Sequence, residues 1–227
     1  MSLTPRLEDT WLVIPVYNEA GVLRGVLEEA MATFPRVVCV DDASRDGSGQ
    51  IARDAGAVVV RHPVNLGQGA ALQTGIDYVL RGTDAAYLVT FDADGQHRVE
   101  DAAAMVRRAR EEGLAAVFGS RFLDSRTRPG FLKKILLKAA VWLTNQQTGM
   151  KLTDAHNGLR VIRRDAAAAL DLQQNRMAHA TEIVLQLGRT RLPWGEHPVH
   201  VLYTDYSKAK GQSMINSVNI LIDTILK

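Results

Sequence analysis

Residues 85–96 read Ala85-Ala86-Tyr87-Leu88-Val89-Thr90-Phe91-Asp92-Ala93-Asp94-Gly95-Gln96. An apolar, β-branched run that ends abruptly in acid and glycine predicts a buried parallel strand with two carboxylates at its carboxyl end. In an open α/β sheet, ligands bind at that edge. The carboxylates of Asp92 and Asp94 and the amide oxygen of Gln96 suit a hard cation, Mg²⁺ or Mn²⁺, shared with a substrate phosphate. The competing interpretation is a plain turn in which Asp92 caps the next helix.

The composition limits the class of protein. A chain of 227 residues predicts one domain, or one domain with a C-terminal elaboration. The net charge of +2 is too small to indicate a nucleic-acid partner. Cys39 is the single cysteine, so no internal disulfide can form, which fits a reducing compartment. The sequence shows no secretory leader and no apolar run of membrane-spanning length, so we expect a cytoplasmic protein that is still free to touch a membrane surface.

Strands and helices alternate over the first half of the chain. Short apolar, β-branched runs predict the strands, and apolar residues at helical spacing predict the helices that follow most of them. This alternation predicts a doubly wound, mostly parallel α/β sheet flanked by helices. The predicted strands cover residues 11–15, 36–40, 57–60, 85–90 and 115–119, and the predicted helices cover residues 20–32, 49–55, a stretch that opens within 65–75, and 99–112.

The second half of the chain is less regular. Two predicted helices, over residues 131–143 and 214–226, have an apolar face. Each face would serve equally as a membrane-surface contact or as packing against the sheet, and the second also as a homodimer surface. The remaining predictions are a polar loop over 123–130, strands over 159–162 and 198–203, helices over 164–170 and 181–189, and a lysine-bearing loop over 204–213.

Three acidic segments follow three different strands. They are Asn18-Glu19, Asp41-Asp42 and Asp92 with Asp94. Right-handed crossovers bring the carboxyl ends of parallel strands to one edge, so all three should face one crevice. A nucleoside diphosphate needs such an edge, with acceptors for ribose hydroxyls and a base N–H and a cation between the acids and the phosphates. Turns and helix caps explain each segment alone but explain the set poorly.

The sequence resembles the family-2 inverting glycosyltransferases of the GT-A fold, and within them the polyprenyl-phosphate sugar transferases that are similar to dolichol-phosphate-mannose synthase. The resemblance implies a GT-A fold and transfer of a sugar, with inversion, from a UDP- or GDP-sugar to an acceptor, which is a polyprenyl phosphate or a cell-envelope glycan. The matching stretches lie in the family's order at residues 14–19, 40–48, 65–70 with Gly75, 92–96, 119–122 and 154–160.

The resemblance also implies roles for individual residues. It places Pro15, Tyr17 and Glu19 along the base and the ribose, and Asp42 as a hydrogen-bond acceptor from the base. Asp92, Asp94 and Gln96 would surround Mg²⁺ or Mn²⁺ and hold it against the diphosphate. Arg121 would contact a phosphate, and Lys210 and Gln212 would contact a phosphate from a lid loop.

Asp154 is our candidate for the catalytic base or for a group that positions the acceptor. A hydroxyl acceptor needs a general base, whereas a phosphate acceptor is already anionic and needs none. Glu182 would replace Asp154 as the base, or would be the acidic first-turn residue of a helix capped by Thr181. We expect His156 to be structural.

By the same resemblance, residues 1–227 form a single glycosyltransferase domain. Residues of about 10–122 would bind the nucleotide sugar and the metal, and residues of about 123–227 would form the acceptor side with a lid loop and a C-terminal helix. The expected partners are the sugar donor, a lipid-phosphate or glycan acceptor and the inner face of the cell membrane. The alternatives are a nucleotidyltransferase and a regulatory protein that binds sugar nucleotides, whereas the missing Gly-x-Gly-x-x-Gly excludes a NAD dehydrogenase.

Overall fold

A seven-stranded sheet lies at the centre of the part of the chain that the structure, a computed structural model, describes: residues 7–123, 141, 145–146, 148–174 and 178–202. The strands are β1 Thr10–Val16, β2 Arg36–Asp41, β3 Val58–Arg61, β4 Tyr87–Thr90, β5 Ala116–Ser120, β6 Arg160–Arg163 and β7 Trp194–Pro198. Their order in the sheet is β3-β2-β1-β4-β6-β5-β7, and among these strands β6 alone runs antiparallel to its neighbours.

Helices cover both faces of this sheet, and alternating residues of β1 show how. Leu12 and Ile14 point to one apolar core, whereas Trp11 and Val13 point to the other, because successive side chains of a strand face opposite sides. The helices are α1 Leu23–Thr33, α2 Ser48–Asp54, α3 Gln68–Gly82, α4 Val99–Glu111, α5 Arg164–Ala167 and α6 Ala178–Thr190. The first core contains residues of α1, α2 and α4, and the second contains residues of α3, α5 and α6. The prediction of a doubly wound, mostly parallel α/β sheet is therefore confirmed.

The antiparallel strand β6 determines which later residues reach the ligand-binding edge. Arg160, its first residue, lies opposite Thr90 at the end of β4 and opposite Phe118 in β5. Because β6 runs the other way, its amino end meets the carboxyl ends of its neighbours. The segment that precedes it, residues 153–159, therefore arrives at the same edge as the acids that follow β4.

Several predicted boundaries differ from the structure. The last strand was predicted over residues 198–203, but β7 is Trp194–Pro198. Its place is determined by pairing with β5, which its non-alternating sequence does not reveal. Residues 164–170 form only the short helix α5. Residues 131–140, 142–144 and 203–227, which include most of one predicted helix, the lysine-bearing loop and the final helix, lie outside the described residues.

The packing of α3 on the sheet predicts opposite effects for two glycine-to-alanine substitutions. A Cβ at Gly75 would overlap Cγ1 of Val13 and lie 3.3 Å from Cγ2 of Val40. Gly75→Ala should lower the free energy of unfolding by about 1–3 kcal/mol because it overpacks this contact. Gly25→Ala in α1, where no described atom lies within 4 Å of the new Cβ, should raise it by about 0.5–1 kcal/mol. Urea denaturation checks both values, and equal effects would contradict this packing.

Candidate active site

The acid-bearing ends of β1, β2 and β4 lie side by side. Strand β1 pairs in parallel with both β2 and β4, so Glu19, Asp42 and Asp92 follow three neighbouring strands at one edge. Glu19 is close enough to Asp94 for its charge to raise the pKa of that carboxyl. The structure thus brings together the three segments that the sequence predicted to face one crevice.

Side-chain oxygens of the β2–α2 loop hold the loop that follows β1. Three successive backbone N–H groups, those of residues 18–20, donate to Ser44 Oγ at 3.0 Å, Ser48 Oγ at 2.8 Å and Asp46 Oδ2 at 2.9 Å. Asn18 has a positive φ of 54°, a conformation that asparagine tolerates better than most residues. The Ser and Asp residues of the 40–48 motif therefore act on the backbone here, a role that the sequence analysis did not foresee.

This loop presents the residues predicted to line the nucleoside. Tyr17 is 46% exposed, so much of its side chain is accessible to solvent. Glu19 is half-buried beside it, and Pro15 is half-buried within β1. An exposed aromatic ring next to a carboxylate suits a base and a ribose.

Asp42 is buried and already accepts three hydrogen bonds. Its Oδ1 accepts from the N–H of Leu66 at 2.8 Å and lies 2.8 Å from Nδ1 of His62, and its Oδ2 accepts from the N–H of Gly67 at 2.8 Å. A carboxylate offers about four acceptor positions, so at most one remains for a ligand. Asp42 thereby anchors the turn before α3, where Gly67 has a φ of +94°. This anchoring role was not foreseen from the sequence.

Two neighbouring side chains orient Asp92. His97 Nε2 lies 2.8 Å from Oδ2 of Asp92, and Gln68 Nε2 donates to Oδ1 at 3.2 Å. Burial raises the pKa of Asp92, but the hydrogen bond from His97 and the nearby Arg160 outweigh burial and lower it below its ordinary value. The sequence analysis missed His97, although its place directly after Gln96 in the same loop was a usable signal.

Asp94 is the carboxylate best suited to a cation. Its Oδ1 accepts from the N–H of Gln96 at 3.0 Å. Burial and the negative charge of Asp92 raise its pKa to about 6, and a divalent cation would relieve that repulsion. No three His, Cys, Asp or Glu side chains in the described segments gather as a metal-binding set. Asp92 and Asp94 would supply two oxygen ligands to a hard cation, a kind of ion that commonly takes further ligands from substrate and water.

Arg121 and Asp154 form a bidentate ion pair at the end of β5. Nε of Arg121 donates to Oδ2 of Asp154 at 2.6 Å and Nη2 donates to Oδ1 at 2.8 Å. The Asp154 side chain is fully buried. Burial raises its pKa, but the Arg121 charge and hydrogen bonds outweigh burial and lower it below its usual range. A carboxylate held in this way is a weak base, and the guanidinium predicted to meet a phosphate lies on a carboxylate here.

Unpartnered polar atoms concentrate in the segment after Asp154. Within the described residues, His156 Nδ1, Asn157 Nδ2 and Arg160 Nε have no hydrogen-bond partner. Burial lowers the pKa of His156 to about 4, so this ring is neutral at pH 7. Burial also lowers the pKa of Arg160 to about 10, against the opposing effect of Asp92 and Asp154. Arg160 is thus a buried cation on which the charges of both Asp92 and Asp154 act, a role that was not predicted from the sequence.

Glu182 has a structural role. Its carboxylate accepts from the backbone N–H groups of Gln173 and Gln174 at 2.9–3.1 Å. Helix α6 begins at Ala178, so Glu182 lies in its second turn and the expected cap at Thr181 is wrong. These contacts favour neither a catalytic base nor a first-turn acid.

Two further predictions concern the lid and the membrane. Lys210 and Gln212 lie outside the described residues. Among the helices that the structure describes, none is long and apolar enough to cross a bilayer.

Comparison with solved structures agrees with the observed fold. Glucosyl-3-phosphoglycerate synthase from Mycobacterium tuberculosis, crystallised with Mn²⁺ and UDP-glucose, superposes with a TM-score of 0.67 at 17% identity. The match covers 95% of this chain and 76% of that one. At this identity the likeness concerns the fold, and the fold is that of the GT-A glycosyltransferases.

Comparison of sequences identifies the family. The model of glycosyl transferase family 2 matches residues 11–170, and the chain belongs to this family. The chain is 27% identical to the UDP-N-acetylglucosamine–dolichyl-phosphate N-acetylglucosaminyltransferase of Methanococcus voltae, over 90% of each chain. It is 29% identical to the undecaprenyl-phosphate mannosyltransferase of Micrococcus luteus, over 90% of this chain and 86% of that one. The protein is therefore a glycosyltransferase, and its relatives include polyprenyl-phosphate sugar transferases.

The buried ion pair predicts that Arg121→Met is strongly destabilising. The substitution leaves the Asp154 carboxylate buried and unpaired, and we expect a loss of about 3–5 kcal/mol in the free energy of unfolding at pH 7. In the wild type the stabilising effect of this lowered pKa is present above the ordinary value of 3.8 and is lost as pH falls through the lowered folded value. The loss should therefore shrink as the pH falls, first because burial without Arg121 raises the pKa of Asp154 in the variant so that the carboxylate takes up a proton, and then because the wild type loses its own stabilisation.

Denaturation at pH 7 and at pH 3.5 measures both quantities. Arg81→Met is the control because its ion pair with Asp77 is exposed, and it should cost less than about 1 kcal/mol. A cost for Arg121→Met as small as that of the control would contradict the buried pair.

Proposed function

We propose that this protein is a metal-dependent, inverting glycosyltransferase that moves a sugar from a UDP- or GDP-sugar to a polyprenyl phosphate. The observation that carries the proposal is the crowding of Asp92 and Asp94 at the edge that also presents Tyr17 and Glu19. Two carboxylates that repel each other, at an edge that also carries an exposed tyrosine, suit a cation and a nucleoside diphosphate. Because polyprenyl phosphates reside in bilayers, the protein would work at a membrane surface.

The nucleoside would lie along the loop after β1. Tyr17 would stack on the base, with Pro15 beneath it, and Glu19 would accept from the ribose hydroxyls. Asp42 would use its one remaining acceptor position for a base N–H, while its other contacts keep the turn at residues 65–67 in place. Ser44, Asp46 and Ser48 support this arrangement indirectly, since they hold the backbone that carries Tyr17 and Glu19.

The diphosphate would lie against Asp92, Asp94 and Gln96, which would hold Mg²⁺ or Mn²⁺. When bound, such a cation would neutralise the negative charge that develops on the leaving nucleoside diphosphate. The residues around Asp92 keep its carboxylate in one orientation: His97 and Gln68 each hold one oxygen. Orientation of a ligand by a neighbouring histidine or amide is typical of metal sites.

The state of Asp154 favours a phosphate acceptor over a hydroxyl acceptor. A hydroxyl must lose a proton as it attacks the anomeric carbon, which requires a base. Asp154 is buried, ionised and paired with Arg121, so it is poorly placed to take a proton. An acceptor phosphate already carries a negative charge and attacks directly, from the face opposite to the leaving diphosphate. We assign Asp154 to positioning Arg121, whose guanidinium would meet the acceptor phosphate, with Lys210 and Gln212 contributing from the lid.

A transfer assay tests this function. The wild type should transfer sugar from at least one of UDP-N-acetylglucosamine, UDP-glucose and GDP-mannose to undecaprenyl phosphate with Mn²⁺, but not to undecaprenol. Asp94→Asn should lower the rate by about 100-fold or more and abolish Mn²⁺-dependent binding of the nucleotide while the fold stays intact. Asp54→Asn, an exposed acid on α2, is the matched control and should keep full activity. Equal transfer to undecaprenol would contradict the phosphate acceptor, and normal turnover by Asp94→Asn would contradict the metal site.

Acidity should weaken the binding of the metal. With the pKa of Asp94 at about 6, a cation binds directly above that pH but has to displace a proton below it. The association constant for Mn²⁺ should therefore be level above pH 6.5 and fall about tenfold per pH unit below pH 6. Electron paramagnetic resonance of Mn²⁺ without nucleotide measures this, because the phosphates of a nucleotide titrate in the same range. A constant affinity from pH 5 to pH 7 would remove Asp94 from the site.

A further inference from the structure

Glu196 lies on the edge strand β7, yet its side chain reaches back towards the active site. A single carboxylate oxygen, Oε1, accepts three hydrogen bonds: from the N–H of Thr153 at 2.8 Å, from the hydroxyl of Thr153 at 3.0 Å and from the N–H of Asp154 at 3.1 Å. These contacts restrain two successive residues of a segment that has no regular secondary structure. The backbone of Asp154 is therefore held by Glu196 while its carboxylate is held by Arg121.

A chain of hydrogen bonds connects Glu196 to the backbone N–H of Phe122, the residue that follows Arg121. The hydroxyl of Thr153 donates to Glu196, so it accepts from the hydroxyl of Ser120, which is 2.6 Å away. Ser120 Oγ in turn accepts from the N–H of Phe122 at 3.2 Å. All donors in this chain point towards the carboxylate, an arrangement in which each bond strengthens the next.

The charge on Glu196 is costly where it lies. Burial raises its pKa and so does the nearby charge of Asp154, while the hydrogen bonds from residues 153–154 oppose the increase. The position on β7 is nevertheless suited to its contacts, because Glu196 lies opposite Phe118 in β5, two residues before Ser120. From the edge strand β7, the Glu196 carboxylate thus reaches the backbone of residues 153–154.

We propose that Glu196 is a positioning residue for sugar transfer: through Thr153 and Asp154 it sets the place of the Arg121 guanidinium. The inference rests on the proposed function, since it gives the Arg121–Asp154 pair a role in transfer. Glu196 acts as a hydrogen-bond acceptor whose side chain is long enough to reach residues 153–154, and its negative charge is of secondary importance. Displacement of such a group by about 1 Å can lower a rate by about 100-fold.

Two conservative variants separate reach from charge. Glu196→Gln keeps the length of the side chain and an acceptor oxygen but removes the charge. Glu196→Asp keeps the charge but is one methylene shorter, so it should not reach Thr153 and Asp154. We expect kcat/KM for transfer to stay within about threefold of wild type for Glu196→Gln and to fall about tenfold or more for Glu196→Asp.

The assay uses UDP-N-acetylglucosamine and GDP-mannose, each with Mn²⁺ and undecaprenyl phosphate in detergent micelles. Mn²⁺-dependent binding of UDP and GDP, measured by calorimetry, should stay within about twofold of wild type in both variants, because the acids that follow β1, β2 and β4 are untouched. Hydrogen exchange at the amides of residues 153–154 should accelerate in Glu196→Asp and not in Glu196→Gln. Glu111→Ala, which removes an exposed carboxylate at the end of α4, is the control and should match the wild type.

Each outcome decides one point. A wild type that binds neither nucleotide contradicts the proposed function itself. An active wild type with a fully active Glu196→Asp, or with Glu196→Gln as impaired as Glu196→Asp, overturns the positioning role alone, and so does a parallel loss of nucleotide binding. Should Glu196→Asp fail to fold, Thr153→Val removes only the hydroxyl link, and wild-type transfer by that variant also overturns the proposal.

Discussion

The pairing of β6 between β4 and β5 is the constraint on which the active site depends. An antiparallel strand in an otherwise parallel sheet delivers its amino end to the edge where the other strands deliver their carboxyl ends. Thr90 seals this junction, since its hydroxyl donates to the carbonyl oxygen of Gly158 at 2.6 Å. Gly158 packs so closely on the Asp92 carboxylate that a Cβ would overlap it. The segment of residues 153–159 and the acids that follow β4 are thereby in contact, although 66 residues separate Gly158 from Asp92 in the chain.

Buried charge is the second theme of this edge. Arg160 is 2% exposed, its Nε has no partner in the described residues, and it lies between Asp92 and Asp154. Such an arrangement costs free energy, because burying charges is repaid only when every polar group is satisfied. Proteins tolerate these costs mainly where function requires them. Under the proposed function, a bound cation would relieve the repulsion from Asp92 that helps to raise the pKa of Asp94.

The acidic motifs turned out to have two kinds of function. Asp92 and Asp94 follow β4 at the edge predicted from the sequence, whereas several side chains of the 40–48 motif bind backbone N–H groups. Ser44, Asp46 and Ser48 restrain the loop that carries Tyr17, an arrangement between loops 26–29 residues apart. Sequence patterns show that such oxygens belong to a turn, yet they cannot show which backbone groups they accept from. Similarly, the partners of Asp154 and Glu182 became known only from the fold, since both residues would equally be caps or bases in isolation.

The amino-acid sequence by itself determined the α/β class, the parallel core strands, the family and the edge where the acids gather. The class, the strands and the edge follow from local periodicity and from strand termini, which are properties of short segments. The family follows from the resemblance of the motifs and from the match to the family model. Only the tertiary structure decided that β7 begins at Trp194, that Arg121 pairs with Asp154, that His97 orients Asp92 and that Glu196 holds residues 153–154. Each of these depends on contacts between segments distant in the chain or on the exact reach of one side chain, and burial then fixes the charge state of the groups involved.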